Sequence, residues 1–154
     1  MTPREYIDQI VAPNLAELAT DYGNLRLALN AVHAVDALAA HIFYGAGGKG
    51  KVGVADDLAY RESLARQDTE FGLLRDVAKA AKHVVLERGT PQVSTADQIS
   101  SRGLGWGEAR WDEGRWDGPQ QAVVLTDAGE HRVLETVVAR ALAFLEKEMG
   151  AYGL

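Results

Sequence analysis

Apolar positions in the segment NLRLALNAVHAVDALAAHIFY, residues 24–44, recur every three or four residues. At about 100° per residue, this spacing sets Leu27, Val35, Leu38 and Ile42 on one side of a helix, with Val32 and Phe43 widening the apolar arc. Arg26, Asn30, His33 and His41 fall on the other side. Upstream, TPRE places Thr2 as a helix cap, Pro3 at the first helical position and Glu5 three residues after the cap. A first helix is expected over 3–21, kinked or divided before Pro13 and stopped at Gly23.

Downstream, ADDLAYRESLAR predicts a short helix begun by Asp56 or Asp57, and DTEFGLLRDVAKAAKHVVLERG a stronger one running to Gly89. Phe71, Leu74, Ala78, Ala81 and Val85 make the core face of the second, and Arg75, Lys79, Lys82 and His83 sit together on its flank. From Thr90 the pattern changes. TPQVSTADQISS and QQAVVLT carry β-branched residues and turn signals, which predict two or three antiparallel strands around a Gly-Trp segment. A last helix is expected over 127–150, capped by Asp127 with Glu130 three residues on, stopped by Gly150, and drawing its apolar surface from Val133, Val137, Leu142 and Leu145.

The expectation is therefore one α+β domain over 1–154, a bundle of about four main helices with a small antiparallel sheet. Residues 1–89 form the helical part, interrupted by a flexible glycine-rich loop at 45–53. Residues 90–126 form a hairpin or meander, and 127–150 the C-terminal helix.

A chain of 154 residues is long enough to bury one core. The absence of cysteine excludes disulfides, thiolate zinc sites and a cysteine nucleophile. The formal net charge of -6 disfavours general attraction to nucleic acid or anionic lipid, so any such contact must be local. The opening MTPREYIDQI lacks the pattern of a signal peptide and no uninterrupted apolar run reaches spanning length, so a cytoplasmic protein without a membrane partner is expected.

The stretch GAGGKGK, residues 45–51, has the glycine spacing of a dinucleotide fingerprint and most of a phosphate loop. Both motifs need a strand before the loop, and this one follows a helical pattern. Val52 also stands where a phosphate loop places Ser or Thr for magnesium. A solvated connection between helices is expected, and no cofactor.

The segment LRDVAKAAKHVVLERG resembles a pattern in uncharacterised bacterial and phage-borne helical proteins, in which an RD(I/V)A start leads to a KH pair. More remotely it resembles the HEPN helical superfamily, whose nuclease members carry an Arg and a His on one helix, commonly across a dimer. The resemblance implies metal-independent RNA cleavage, with His83 moving the 2′-hydroxyl proton and Arg75 stabilising the phosphorane charge, beside Lys79 and Lys82. Seven residues separate Arg75 from His83, a wider gap than in those nucleases, although the two lie within about 80° on the helix surface. A purely structural use is the alternative: Arg75 and Lys82 bury their stems and pair with Asp36 or Asp68, and His83 finishes the helix.

His33, Asp36 and His41 share one helix, but about 12 Å of rise separates the two histidines. A metal would need ligands such as Glu70 or His83 from elsewhere, and no metal site is expected. The segment GWGEARWDEGRWDG places Trp106, Trp111 and Trp116 five residues apart, with Arg110 and Arg115 preceding the last two. In a regular strand Trp106 and Trp116 share a face and Trp111 points oppositely. Glu108, Asp112, Glu113 and Asp117 disfavour phosphate there, so a hairpin meeting the bundle or a second subunit is expected.

Two functions follow as expectations. The leading one is a non-catalytic, homo-oligomeric binding or assembly module that uses the tryptophan hairpin or the Arg75–His83 flank to meet a protein partner or RNA. The competing one is a HEPN-like metal-independent ribonuclease or toxin using Arg75 and His83.

Overall fold

The structure is a computed structural model that describes residues 1–115 and 120–154. Its N-terminus forms as the capping signals dictate. Thr2 accepts from the Glu5 backbone N–H, and Glu5 returns a bond to the Thr2 N–H at 2.8 Å. Helix α1 (Pro3–Tyr6) passes through a π-helical turn (Ile7–Val11) into α2 (Ala12–Leu18), so the division expected before Pro13 is that turn. Gly23 does not stop the helix. It lies where the chain passes Gln120, and a Cβ there would meet the Gln120 carbonyl oxygen at 2.7 Å.

Asn24 caps α3 (Leu25–Gly45) through the Arg26 and Leu27 backbone N–H groups. This is the central helix, packed against α1, α2 and three later helices, and the six apolar side chains named from its periodicity are all buried. It is also long and apolar enough to cross a membrane by length and composition, but its apolar arc is spent on the core. The glycine-rich loop contains a short helical turn, α4 (Lys49–Val52), entered at Gly48 and left through Gly53 in the left-handed region. Helix α5 (Asp57–Gln67) is capped by Asp56, and α6 (Thr69–His83) by Asp68.

Helix α6 ends six residues earlier than its sequence pattern implies. Val84 adopts φ 68° and ψ -47°, and the Val85 N–H donates to the His83 carbonyl at 2.8 Å. That three-residue closure is a γ-turn, a strained conformation for a β-branched residue. Val85, assigned above to the helical core face, instead forms a bridge to Thr95 and is exposed. Of the other predicted face residues, Phe71, Leu74 and Ala78 are buried and Ala81 half-buried.

The sheet is antiparallel in the order β1 (Ile99–Arg102), β2 (Gln121–Leu125), β3 (His131–Val133). Its third strand and the turn before it occupy residues assigned above to the last helix, which begins only at Leu134 as α7 (Leu134–Ala151). Asp127 caps no helix; it accepts from the Gln98 side chain at 2.7 Å and from Ser94. Gly129, at φ 84°, closes the β2–β3 turn. Gly150 lies within α7, and the turn that follows has Gly153 at φ 70°.

Strand β2 is buried on both faces. Ala122 and Val124 enter the main core with α3, α6 and α7, while Val123 packs with Val133 and Leu104 in a smaller cluster beneath the loop that joins β1 to β2. The described part of that loop thus packs on the outer face of the sheet through Leu104 and Ala109.

Candidate functional site

Two places combine exposure with organised chemistry. The first is the β1–β2 loop. Trp106 and Trp111 are 69% and 82% exposed, with ring centroids 6.0 Å apart. The described part of the segment is a series of turns, so the strand-like alternation expected of it does not occur and these two rings lie together. Trp116 lies outside the described residues.

What holds the loop is an ionic network at its base. Glu113, 1% exposed, accepts from Arg132 Nε at 2.9 Å and Nη2 at 2.6 Å, from Arg140 Nη1 at 3.0 Å and from the Val133 backbone N–H at 3.2 Å. Arg132 also binds Glu70 of α6 at 2.7 Å, and Arg140 binds Asp112. Burial works to lower the Arg132 pKa, but the hydrogen bonds to Glu113 and Glu70 outweigh it and raise it above its ordinary value. More exposed pairs trim the rim: Arg102 binds Glu108 at 2.6 Å, Arg110 binds Glu130 at 3.2 Å and Arg115 binds Glu135 at 2.9 Å. Such exposed pairs contribute about 0–1 kcal/mol each, whereas breaking a buried pair costs about 3–5 kcal/mol, so Glu113 dominates the anchoring. The Arg115 guanidinium lies 3.6 Å from the Tyr22 ring centroid, a cation–π contact.

The second place is a cleft of about 770 Å³ between α5, α6 and the segment 85–92. It brings Arg75, Lys79 and His83 together, but not Lys82, which is exposed elsewhere on the helix. Arg75 is 3% exposed and its Nη1 lies 4.0 Å from Asp36 Oδ1, the partner anticipated for it, while Asp68 is occupied as a helix cap. Arg61 approaches the other Asp36 oxygen at 3.6 Å. Burial pushes the Asp36 carboxyl up from its ordinary value against the opposing pull of Arg75 and Arg61, and pushes Arg75 down.

No family model, curated protein or solved structure matches this chain.

The remaining sequence candidates separate. His33 is exposed, His41 stacks on Tyr6 at 3.9 Å, and Glu70 is engaged by Arg132. Among the described residues no three His, Asp or Glu side chains form a metal-holding group. The Glu113 network went unread in the sequence because its members lie as far as 70 residues apart, and the only local signal was an arginine in the strand HRV.

Proposed function

We propose that this chain is a non-catalytic binding or assembly module whose contact surface is the β1–β2 loop, with a second copy of the chain as its partner. The observation that carries this reading is the exposure of Trp106 and Trp111 as a close pair on a loop anchored through buried Glu113. Two large aromatics in water forgo the gain of burial, and a fixed loop presents them with little ordering cost on association. Tryptophans of this kind supply most of the energy of protein interfaces.

The test is the oligomeric state by sedimentation across a concentration series. Wild type is expected to dimerise, and the Trp106→Ala/Trp111→Ala double variant to weaken dimerisation by about 30-fold or more, the loss of a single hot spot of about 2 kcal/mol. Thermal stability should stay close to that of wild type. A wild type that remains monomeric throughout the series would overturn the reading.

The ribonuclease reading has one observation in its favour, the shared cleft of Arg75 and His83. It requires Arg75 and His83 to act on one scissile phosphate, and about 12 Å of helix rise between them weighs against it. RNA cleavage in EDTA that His83→Ala abolishes in a folded protein would restore it.

A further inference from the structure

We infer that the cleft between α5, α6 and residues 85–92 is a binding site for a small phosphate-bearing anion, with Arg75 at its floor and Lys79 on its wall. This inference is independent of the tryptophan loop and rests on three observations.

The first is the state of Arg75. A guanidinium carries five N–H donors, and in the interior each normally finds an acceptor. Arg75 is 3% exposed, and its side chain makes no hydrogen bond among the described residues. Its Nε is buried without a partner, and its Nη1 stands 4.0 Å from a carboxylate oxygen, beyond hydrogen-bond reach. Asp36 is shared with Arg61, whose nearer partner is Asp57 at 2.8 Å, so Arg75 has no carboxylate within hydrogen-bond distance. Arg75 also lines the cleft, which is where an acceptor can approach it.

The second is local charge. The cleft is lined by four cationic side chains, Arg66, Arg75, Lys79 and Arg88, against three carboxylates. One of the three, Asp76, is already bound to the Gln92 backbone N–H at 2.8 Å. The chain as a whole carries -6, so a wall with a positive surplus is a departure from its surroundings. Arg75, Lys79 and His83 follow one another at four-residue intervals along α6, a row of about 12 Å that faces one ligand from the same side. The cavity volume is in the range of small-molecule sites.

The third is the wall opposite. After the γ-turn at Val84 the chain doubles back, with Leu86 donating to Ser94 at 2.7 Å and Gln92 tied to both Asp76 and the Thr69 carbonyl. The Gln92 end of the segment is thereby fixed to α6, its other end continues from that helix, and the strained turn is what directs it across the cleft. Backbone strain of this kind concentrates at binding sites, where the surrounding structure holds it. A tetrahedral phosphate suits the set better than a planar carboxylate, because it can pair two oxygens with the fork of Arg75 and keep a third for the Lys79 ammonium.

Calorimetric titration of the full chain at low ionic strength with inorganic phosphate, pyrophosphate and citrate tests this. Saturable one-to-one binding of phosphate or pyrophosphate is expected, with citrate weaker. Lys79→Ala, a half-exposed wall position that should fold normally, is expected to weaken binding at least tenfold, and Arg75→Lys, which keeps the charge but loses the fork, by a similar factor. Lys147→Ala, at an exposed position of α7, and the double tryptophan variant should bind as wild type does. Only heats of dilution from wild type, equal binding by Lys79→Ala, or tighter binding of citrate would each overturn the proposal.

Discussion

Val84 is the one described non-glycine residue with positive φ. Its side chain is 61% exposed, so packing does not compensate for its conformation. A residue held in such a region costs about 1–3 kcal/mol, against about 0.5–1 kcal/mol for the extra chain entropy of glycine. Val84→Gly is therefore expected to stabilise the protein by about 1 kcal/mol, and for a chain of this length to raise Tm by about 2–4 °C. A Tm unchanged or lowered in thermal denaturation would show that the turn is not strained. Nothing in KHVVLERG announces this turn: Val84 and Val85 continue the apolar period of α6, and only the pairing of residues 85 and 86 with 94 and 95 breaks the helix. Arg75, by contrast, stood out in the sequence as a basic residue beside a core face, and that placement is what buries it.

Among the elements, local signals were legible where a helix begins from its own caps. Thr2 and Asp56 act as their sequence context implies, whereas Asn24 and Asp68 cap α3 and α6 without having been read as caps. The failure at residues 127–133 has a definite cause. Asp127 and Glu130 mimic a capping box, but the ladder from Val123–Leu125 to His131–Val133 competes for the same backbone groups and wins, with Gly129 supplying the turn. The network at Glu113 was illegible for a related reason, since it joins the β1–β2 loop, α6, β3 and α7 and exists only once all four have packed. Removing its centre leaves Arg132 buried with half its partners. Glu113→Ala should cost about 3–5 kcal/mol and shift the fluorescence of Trp106 and Trp111 as their loop loses its base. A stable variant with unaltered fluorescence would show that the network does not anchor the loop.

At the scale of the whole molecule, the carboxylates divide into two groups with opposite effects on stability. Glu5, Glu108, Asp112 and Asp127 are held below their ordinary values of 4.5 or 3.8 by hydrogen bonds, led by the backbone N–H of Thr2, of Gly105 and of Asp112 itself, and by the Gln98 side chain. Their contribution is present above those ordinary values and lost as pH falls through the lower folded ones. Burial raises Asp36 and Asp76 above 3.8, so the folded chain takes up their protons before the unfolded chain does, and stability grows as pH falls through their folded values. Tm is accordingly expected to rise as pH falls from 7 through the folded values of Asp36 and Asp76, and to drop below about pH 4. Asp76→Asn, which still accepts from Gln92, should remove part of the rise. A Tm that falls steadily from pH 7 downward would contradict this division.

The anchoring of Glu113 has a consequence for biosynthesis. Glu70 and Glu113 leave the ribosome before their arginines, because Arg132 and Arg140 follow Glu113 by 19 and 27 residues. During translation the tryptophan pair therefore emerges while its anchor is still unmade, and a nascent chain stalled before Arg132 would present those rings on an untethered loop. Chaperone capture and premature association between neighbouring nascent chains would both be concentrated in that interval, and both would end when the final helix docks.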